Sequence, residues 1–179
     1  MRAFIAVDIP DDIKVRLLAA AADLPGDGIV PVKKEAMHIT LHFLGELDAK
    51  GVASAKEALQ CLETRPFEAA LAGVSCFNPD FIKIVFAKVS QGAETFSAAY
   101  ASLAEELSGR GLALEGRAYT PHATLARVKY VADRDALLGA ISRLDGTGFG
   151  SFHVGSMALK ESVLTRQGPV YNTLYELQL

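Results

Sequence analysis

Two stretches of this chain carry side chains that can move a proton and hold an anion. They are His38-Ile39-Thr40-Leu41 and His122-Ala123-Thr124-Leu125, two copies of a His-x-Thr-Leu core in a chain with four histidines. In each copy apolar residues alternate with His and Thr, the period of a half-buried β-strand. His38 and Thr40 then share one face and Ile39 and Leu41 the other; His122 and Thr124 likewise oppose Ala123 and Leu125. Each strand offers an imidazole and a hydroxyl about 6.6 Å apart, near enough to address one phosphate-sized group. A single histidine on a strand is more often an ordinary half-buried residue. Repetition of the whole core, threonine and leucine included, points to function instead.

Two units half a chain apart predict two similar lobes that face each other across a groove. The intervening sequence supplies the elements to hold them. Phe4 to Val7 reads as a buried strand, and a cap at Asp11 or Asp12 opens a helix to about Asp23. Turn residues from Leu24 to Gly28 lead to a short strand, Ile29 to Val32. Gly45 stops the first motif strand, and Asp48 caps a second helix to about Glu63. Phe67 to Val74 and Ile82 to Val89 alternate as strands around Asn78-Pro79-Asp80, which predicts antiparallel pairing. A third helix, Ala93 to Ser108, precedes the second motif strand, and Asp133 caps a fourth to about Leu144. Phe149 to Lys160 and Tyr171 to Leu177 close the chain as strands. The order predicts an α+β fold: two similar lobes, each a mainly antiparallel sheet with helices packed on the outside, across a central groove. Strands exchanged between the lobes would make residues 1–179 one bilobal domain rather than two.

Bulk properties narrow the function classes. Half of the 179 residues are hydrophobic, which excludes a disordered chain. No apolar run is long enough to span a bilayer, and the first strand turns acidic at Asp8, too soon for a signal peptide. Cys61 and Cys76 have no metal or redox spacing and read as buried free thiols of a cytoplasmic protein. A net charge of −3 argues against sequence-blind duplex binding. The distribution of charge matters more. No acid lies between Gly116 and Ala132, where Arg117, Arg127 and Lys129 bracket the second motif, while Lys33 and Lys34 precede the first. This is a local positive funnel suited to a small anionic substrate. No phosphate loop, dinucleotide fingerprint or metal-ligand motif is present, so no cofactor is expected.

Around these residues the chain resembles the 2H phosphoesterases, named for two His-x-Thr/Ser motifs, one per lobe. Within them it is most similar to the bacterial and archaeal RNA 2′,3′-cyclic phosphodiesterases, first described as 2′-5′ RNA ligases. The similarity runs from the opening strand Met1 to Val7 through His38 to Gly45 and Thr120 to Arg127. It ends in the closing segment with Glu161-Ser162 and Gly168-Pro169-Val170-Tyr171. The resemblance implies hydrolysis of a terminal 2′,3′-cyclic phosphate to a 2′-phosphate without metal or cofactor, with 2′-5′ ligation as the reverse reaction. It implies His122 as the base that activates water and His38 as the acid on the 3′-oxygen. Thr40, Thr124 and Arg127 would contact the phosphate. The implied partner is RNA with such an end, tRNA fragments included, handled by a monomer away from membranes. Strict alternation turns Arg127 away from His122, so its role requires a twist, a bulge or the strand end. Alternation also puts His42 on the face of His38, which makes it a further candidate for touching substrate. Tyr171 and Ser162 are expected to hold the fold, and His153 to be structural or exposed. Phe43, Phe77, Phe81 and Tyr130 could stack on a base, although core packing is the expected role of each.

Opening a cyclic phosphate requires a base on the water and an acid on the departing oxygen, on opposite sides of phosphorus. Two imidazoles across a groove meet that need at neutral pH. Other 2H activities share both motifs: cleavage of 2′-5′ oligoadenylate, of ADP-ribose cyclic phosphate, or of RNA 3′ ends. A catalytically silent RNA-end binder would keep the groove, but the presence of both His and both Thr counts against it. A metal site at His38-x-x-x-His42 would suit a helix; on a strand the two are roughly 13 Å apart.

Overall fold

A computed structural model describes every residue of the chain except Glu115, Arg117 and Gln167. The expectation placed on Arg117 lies outside the described residues. Strand β1 (Arg2–Asp8) leads to helix α1 (Asp11–Ala22), strand β2 (Ile29–Pro31) and a 3₁₀ turn (Lys34–Ala36). The first motif strand β3 (His38–Glu46) follows, then α2 (Ala49–Gln60), β4 (Phe67–Cys76), β5 (Ile84–Gln91) and α3 (Ala93–Gly109). The second motif strand β6 (His122–Val128) precedes α4 (Arg134–Leu144), β7 (Gly148–Val154), β8 (Ser156–Thr165) and β9 (Gly168–Gln178).

The strands form one curled antiparallel sheet in the order β7-β4-β5-β6-β3-β1-β8-β9, with β2 also paired to β6. Its two halves meet at β3 and β6 through a single residue pair, Ile39 opposite Ala123. The architecture is thus α+β with two lobes, each built around one His-x-Thr strand, and the two motif strands are the innermost strand of each half. Helices α2 and α3 pack on each other and against β3, β8 and β9, while α1 packs on β6 and β7 and α4 on β4. The residues behind the motif side chains are fully buried: Ile39, Ala123 and Leu125 are each 0 % exposed. Truncating Leu125 to Ala there would cost about 2–5 kcal/mol.

Local chemistry explains most boundaries. Asp48 Oδ1 accepts the Gly51 N–H at 2.7 Å and Asp133 Oδ1 the Ala136 N–H at 2.9 Å, each an N-cap contributing about 1 kcal/mol. Helix α1 departs from expectation. Pro10 occupies its N-cap with no side-chain cap, and Asp11 and Asp12 lie inside the first turn, where their charge favours the helix dipole. Asp11 instead binds Lys34 at 2.9 Å and so ties α1 to the turn that delivers His38. The closing stretch read as one strand is two. β7 pairs with β4, the chain passes Gly155, and β8 pairs with β1 and β9 in the other half. Gly45 does not stop β3; at φ +68° it accommodates a bulge at Leu44, and the strand continues to Glu46. The thiols are not both buried, because Cys61 is exposed at the end of α2, where Arg110 donates to its Sγ at 3.3 Å.

Candidate active site

The two motif strands line a groove of about 860 Å³ between the halves, and His38, Thr40, His122, Thr124, Arg127 and Tyr171 all reach its wall. What aims them is a shared irregularity. In β3 the register slips at Leu41, since Thr40 pairs with Ala6 but His42 with Ile5. In β6 it slips at Leu125, since Thr124 pairs with Phe86 but Ala126 with Val85. A bulge inverts the alternation of everything beyond it. The residue four places after each histidine therefore turns inward: His42 is 4 % and Ala126 0 % exposed. The residue five places after turns outward. This is how Arg127 reaches the groove, although alternation points it away from His122.

The same inversion bears on His42, which turns inward from the face of His38 and yet remains in the groove lining. Its ring is buried against Tyr100 at 4.1 Å, with Nε2 2.8 Å from the Tyr100 carbonyl, and burial lowers its pKa. Tyr100 stacks in turn on Tyr119 at 4.2 Å, and the Tyr119 hydroxyl donates to the Thr40 carbonyl at 3.2 Å. His42 thus begins an aromatic stack that braces the first motif against the segment leading into the second. Among the described residues no cluster of three His, Cys, Asp or Glu is placed to hold a metal.

Each motif histidine is tied to the backbone two residues upstream. His122 Nδ1 lies 2.7 Å from the Thr120 carbonyl, an acceptor, so Nδ1 carries the proton and Nε2 is left for exchange. His38 bonds the backbone of Ala36. Beyond that the surroundings differ. The His38 ring stacks on Phe4 at 4.9 Å and meets Tyr171 edge-on at 5.2 Å. Burial pushes its pKa down to about 4, helped by the charge of Lys160, while Asp8 and the Ala36 bond pull upward. Lys160 is the one charged side chain among the described buried residues, and its Nζ binds both Asp8 oxygens at 2.6 and 2.7 Å. His122 sits against Phe77 at 5.1 Å and Phe86 at 5.0 Å, and burial lowers its pKa against the Thr120 bond.

Several residues in or near the groove had no catalytic signal in the sequence. Tyr171, expected to hold the fold, stands at the groove against His38, close enough to Arg127 and Arg2 for their charges to act on its hydroxyl. The Asp8–Lys160 pair joins residues 152 positions apart, which only the sheet register reveals. Core packing is overturned for four aromatics: Phe43, Phe77, Phe81 and Tyr130 are 55 %, 54 %, 64 % and 61 % exposed. His153 lies outside the groove lining and pairs with Glu68 at 2.8 Å.

A curled antiparallel sheet with one His-x-Thr strand in each half, facing a common groove, defines a two-lobed phosphoesterase. The chain belongs to the LigT-like phosphoesterase family, whose model matches residues 7–82 and 87–171. Among its relatives is an RNA 2′,3′-cyclic phosphodiesterase of Aeropyrum pernix, 35% identical over 82% of this chain and 84% of that protein. Another protein of that name, from Methanocaldococcus jannaschii, is 32% identical over 98% of this chain and 99% of its own. A Thermus thermophilus crystal structure superimposes with a TM-score of 0.79 at 29% identity, over 100% of this chain and 98% of that one. Escherichia coli LigT, solved with 3′-AMP, shares the fold at a TM-score of 0.84 and 22% identity, covering 99% and 97%.

Proposed function

We propose that this chain hydrolyses terminal 2′,3′-cyclic phosphates of RNA to 2′-phosphates without a metal, and that it can run the reverse 2′-5′ ligation. The observation that carries the reading is the pair of groove imidazoles on opposite lobes, each tied to the backbone two residues upstream. His122, neutral with Nε2 bare, takes a proton from water as the oxygen attacks phosphorus. The bond to the 3′-oxygen breaks in line, and that oxygen leaves with a proton from His38. Thr40 and Thr124 hydroxyls donate to the non-bridging oxygens, and Arg127 offsets their charge. His38 is neutral in the free protein at pH 7, so it acquires its proton as the anionic phosphate enters and opposes the charge of Lys160.

That lowered His38 pKa favours a second reading, in which neutral His38 is the base and His122 the acid. The finer expectations belong to the same proposal: one bilobal domain, a monomer, cytoplasmic, serving ends such as those of tRNA fragments. Among the described residues no helix is long and apolar enough to cross a membrane. The test is incubation of an oligonucleotide ending in a 2′,3′-cyclic phosphate with the protein in EDTA. Turnover to the 2′-phosphate is expected; activity that needs an added divalent ion, or no turnover, would remove the reading.

A further inference from the structure

Past Phe77 the groove continues into a second hollow of about 200 Å³, lined by Phe77, Asn78, Phe81, Lys83 and Ile84. Phe77, Lys83 and Ile84 also line the main groove, so the two spaces adjoin. The hollow is formed by the β4–β5 loop, and this loop is built. Asn78 Oδ1 accepts the N–H groups of Asp80 at 2.9 Å and Phe81 at 3.3 Å. Arg134, at the start of α4, donates to the Pro79 carbonyl at 2.9 Å and to Asp80 Oδ1 at 2.6 Å. A loop tied at both levels holds Phe77 and Phe81 more than half exposed. Water gains nothing from two phenyl faces fixed this way, and exposed apolar surface beside a site marks a contact. Lys83 places its ammonium 4.7 Å from the Phe81 ring centre, and no carboxylate among the described residues pairs with it.

We infer that this loop is a subsite for the nucleotides upstream of the reacting end, with bases stacking on Phe77 and Phe81 and Lys83 meeting the intervening phosphodiester. The inference rests on the proposed RNA substrate and extends it to length: the protein takes single-stranded oligonucleotide ends in preference to mononucleotides. Aromatic faces with an interleaved cation are the chemistry of sequence-tolerant single-strand binding. Continuity places the hollow beside the reacting end, because Phe77 touches His122 on one side and borders the hollow on the other, and a chain that ends in the cyclic phosphate has only upstream nucleotides to lay there.

The test compares a nucleoside 2′,3′-cyclic phosphate with a tetranucleotide ending in the same group. The wild type should show a KM about tenfold lower for the tetranucleotide. Phe81→Ala should abolish that advantage while leaving the mononucleotide constants unchanged. Phe81→Trp should keep it, and Phe81→Leu, apolar but unable to stack, should lose it. Lys83→Ala should reduce the salt dependence of the tetranucleotide alone. Equal constants for both substrates in the wild type, or equal loss for both in Phe81→Ala, would overturn the subsite and leave the cyclic phosphodiesterase reading standing. If no cyclic phosphate is turned over, that reading fails instead. Anisotropy of a fluorescent, 3′-phosphorylated tetranucleotide with the same variants then decides the subsite independently: unchanged affinity in Phe81→Ala overturns it.

Discussion

The two motif strands β3 and β6 carry the same four-residue core and the same bulge at its leucine, yet they diverge immediately afterwards. Four residues past the histidine, β3 has His42 and β6 has Ala126; five past, β3 presents Phe43 and β6 presents Arg127. In the proposed mechanism the shared part faces the reacting group, and a displacement with entry and exit on opposite sides requires like groups from both halves. The divergent part forms the rim, where one wall is aromatic and the other cationic. Electrostatics diverge too: His38 lies beside the ion pair of buried Lys160 with exposed Asp8, whereas the ring contacts and hydrogen bond described for His122 are two phenyl rings and the Thr120 carbonyl. On that proposal duplication supplies the chemistry, and departure from it supplies polarity, both of substrate orientation and of proton flow.

The largest effect should come from breaking the shared part. His38→Ala and His122→Ala are each expected to lower kcat by about two to four orders of magnitude. The double variant should be little worse than either single one, because the pair acts as a unit. Losses that simply multiply would end the paired acid–base mechanism. A phosphodiester with a nitrophenolate leaving group sharpens the comparison: the variant lacking the acid should recover most of its rate on it, and the variant lacking the base should not.

The rim should give the next effect, and a different kind on each wall. Arg127→Ala is expected to raise KM roughly ten- to hundredfold, the worth of a charge-assisted hydrogen bond. It should also lower the salt slope by about one. Phe43→Ala should raise KM without touching that slope. Arg127 is exposed and has no ion-pair partner among the described residues, so its loss should leave thermal stability within about 0.5 kcal/mol. An unchanged KM and slope in Arg127→Ala would make it a structural residue and leave the second wall without function.

The parts of this arrangement that the sequence discloses are those with a period. Alternation locates both motif strands and the faces of His38, Thr40, His122 and Thr124, and Asp48 and Asp133 are capped helix starts in the fold. Alternation misleads wherever a bulge intervenes, because a period of two carries no mark of an inserted residue. That is why His42 turns inward and Arg127 outward. Hydrophobicity misleads for Phe43, Phe77 and Phe81, since residue type favours the core whereas a pinned loop or a bulge sets them at the groove. Partnerships such as Asp8–Lys160 depend on strand order across the whole sheet, which no local pattern encodes. The break at Gly155 was visible as a glycine within a strand, a feature that marks a bend or bulge as often as continuation.

The smallest effect, and the one that assigns the roles, concerns Lys160. The charged and titratable groups facing His38 are Asp8 at the end of β1, Lys160 on β8, Tyr171 on β9 and, at longer range, Lys14 on α1. Burial is the main cause of the lowered His38 pKa, and Lys160 is the next. Lys160→Met keeps the apolar stem, removes the cation and leaves Asp8 unpaired, so both changes favour the imidazolium and move His38 upward from about 4. His122 has neither residue among the causes of its shift and should not move. In kcat/KM against pH, therefore, one limb shifts to higher pH and the other stays. A shift of the acid-side limb means that His38 must be neutral to work and is the base; a shift of the alkaline limb means that it must be protonated and is the acid. The sign carries into stability. A histidine whose folded pKa lies below its unfolded value near 6.5 contributes stability above that pH and loses it as pH falls toward 4. Wild-type melting temperature should accordingly decline over that window, and less steeply in Lys160→Met. If neither limb moves, Lys160 does not act on the imidazole, and the electrostatic half of the contrast between the two strands is wrong.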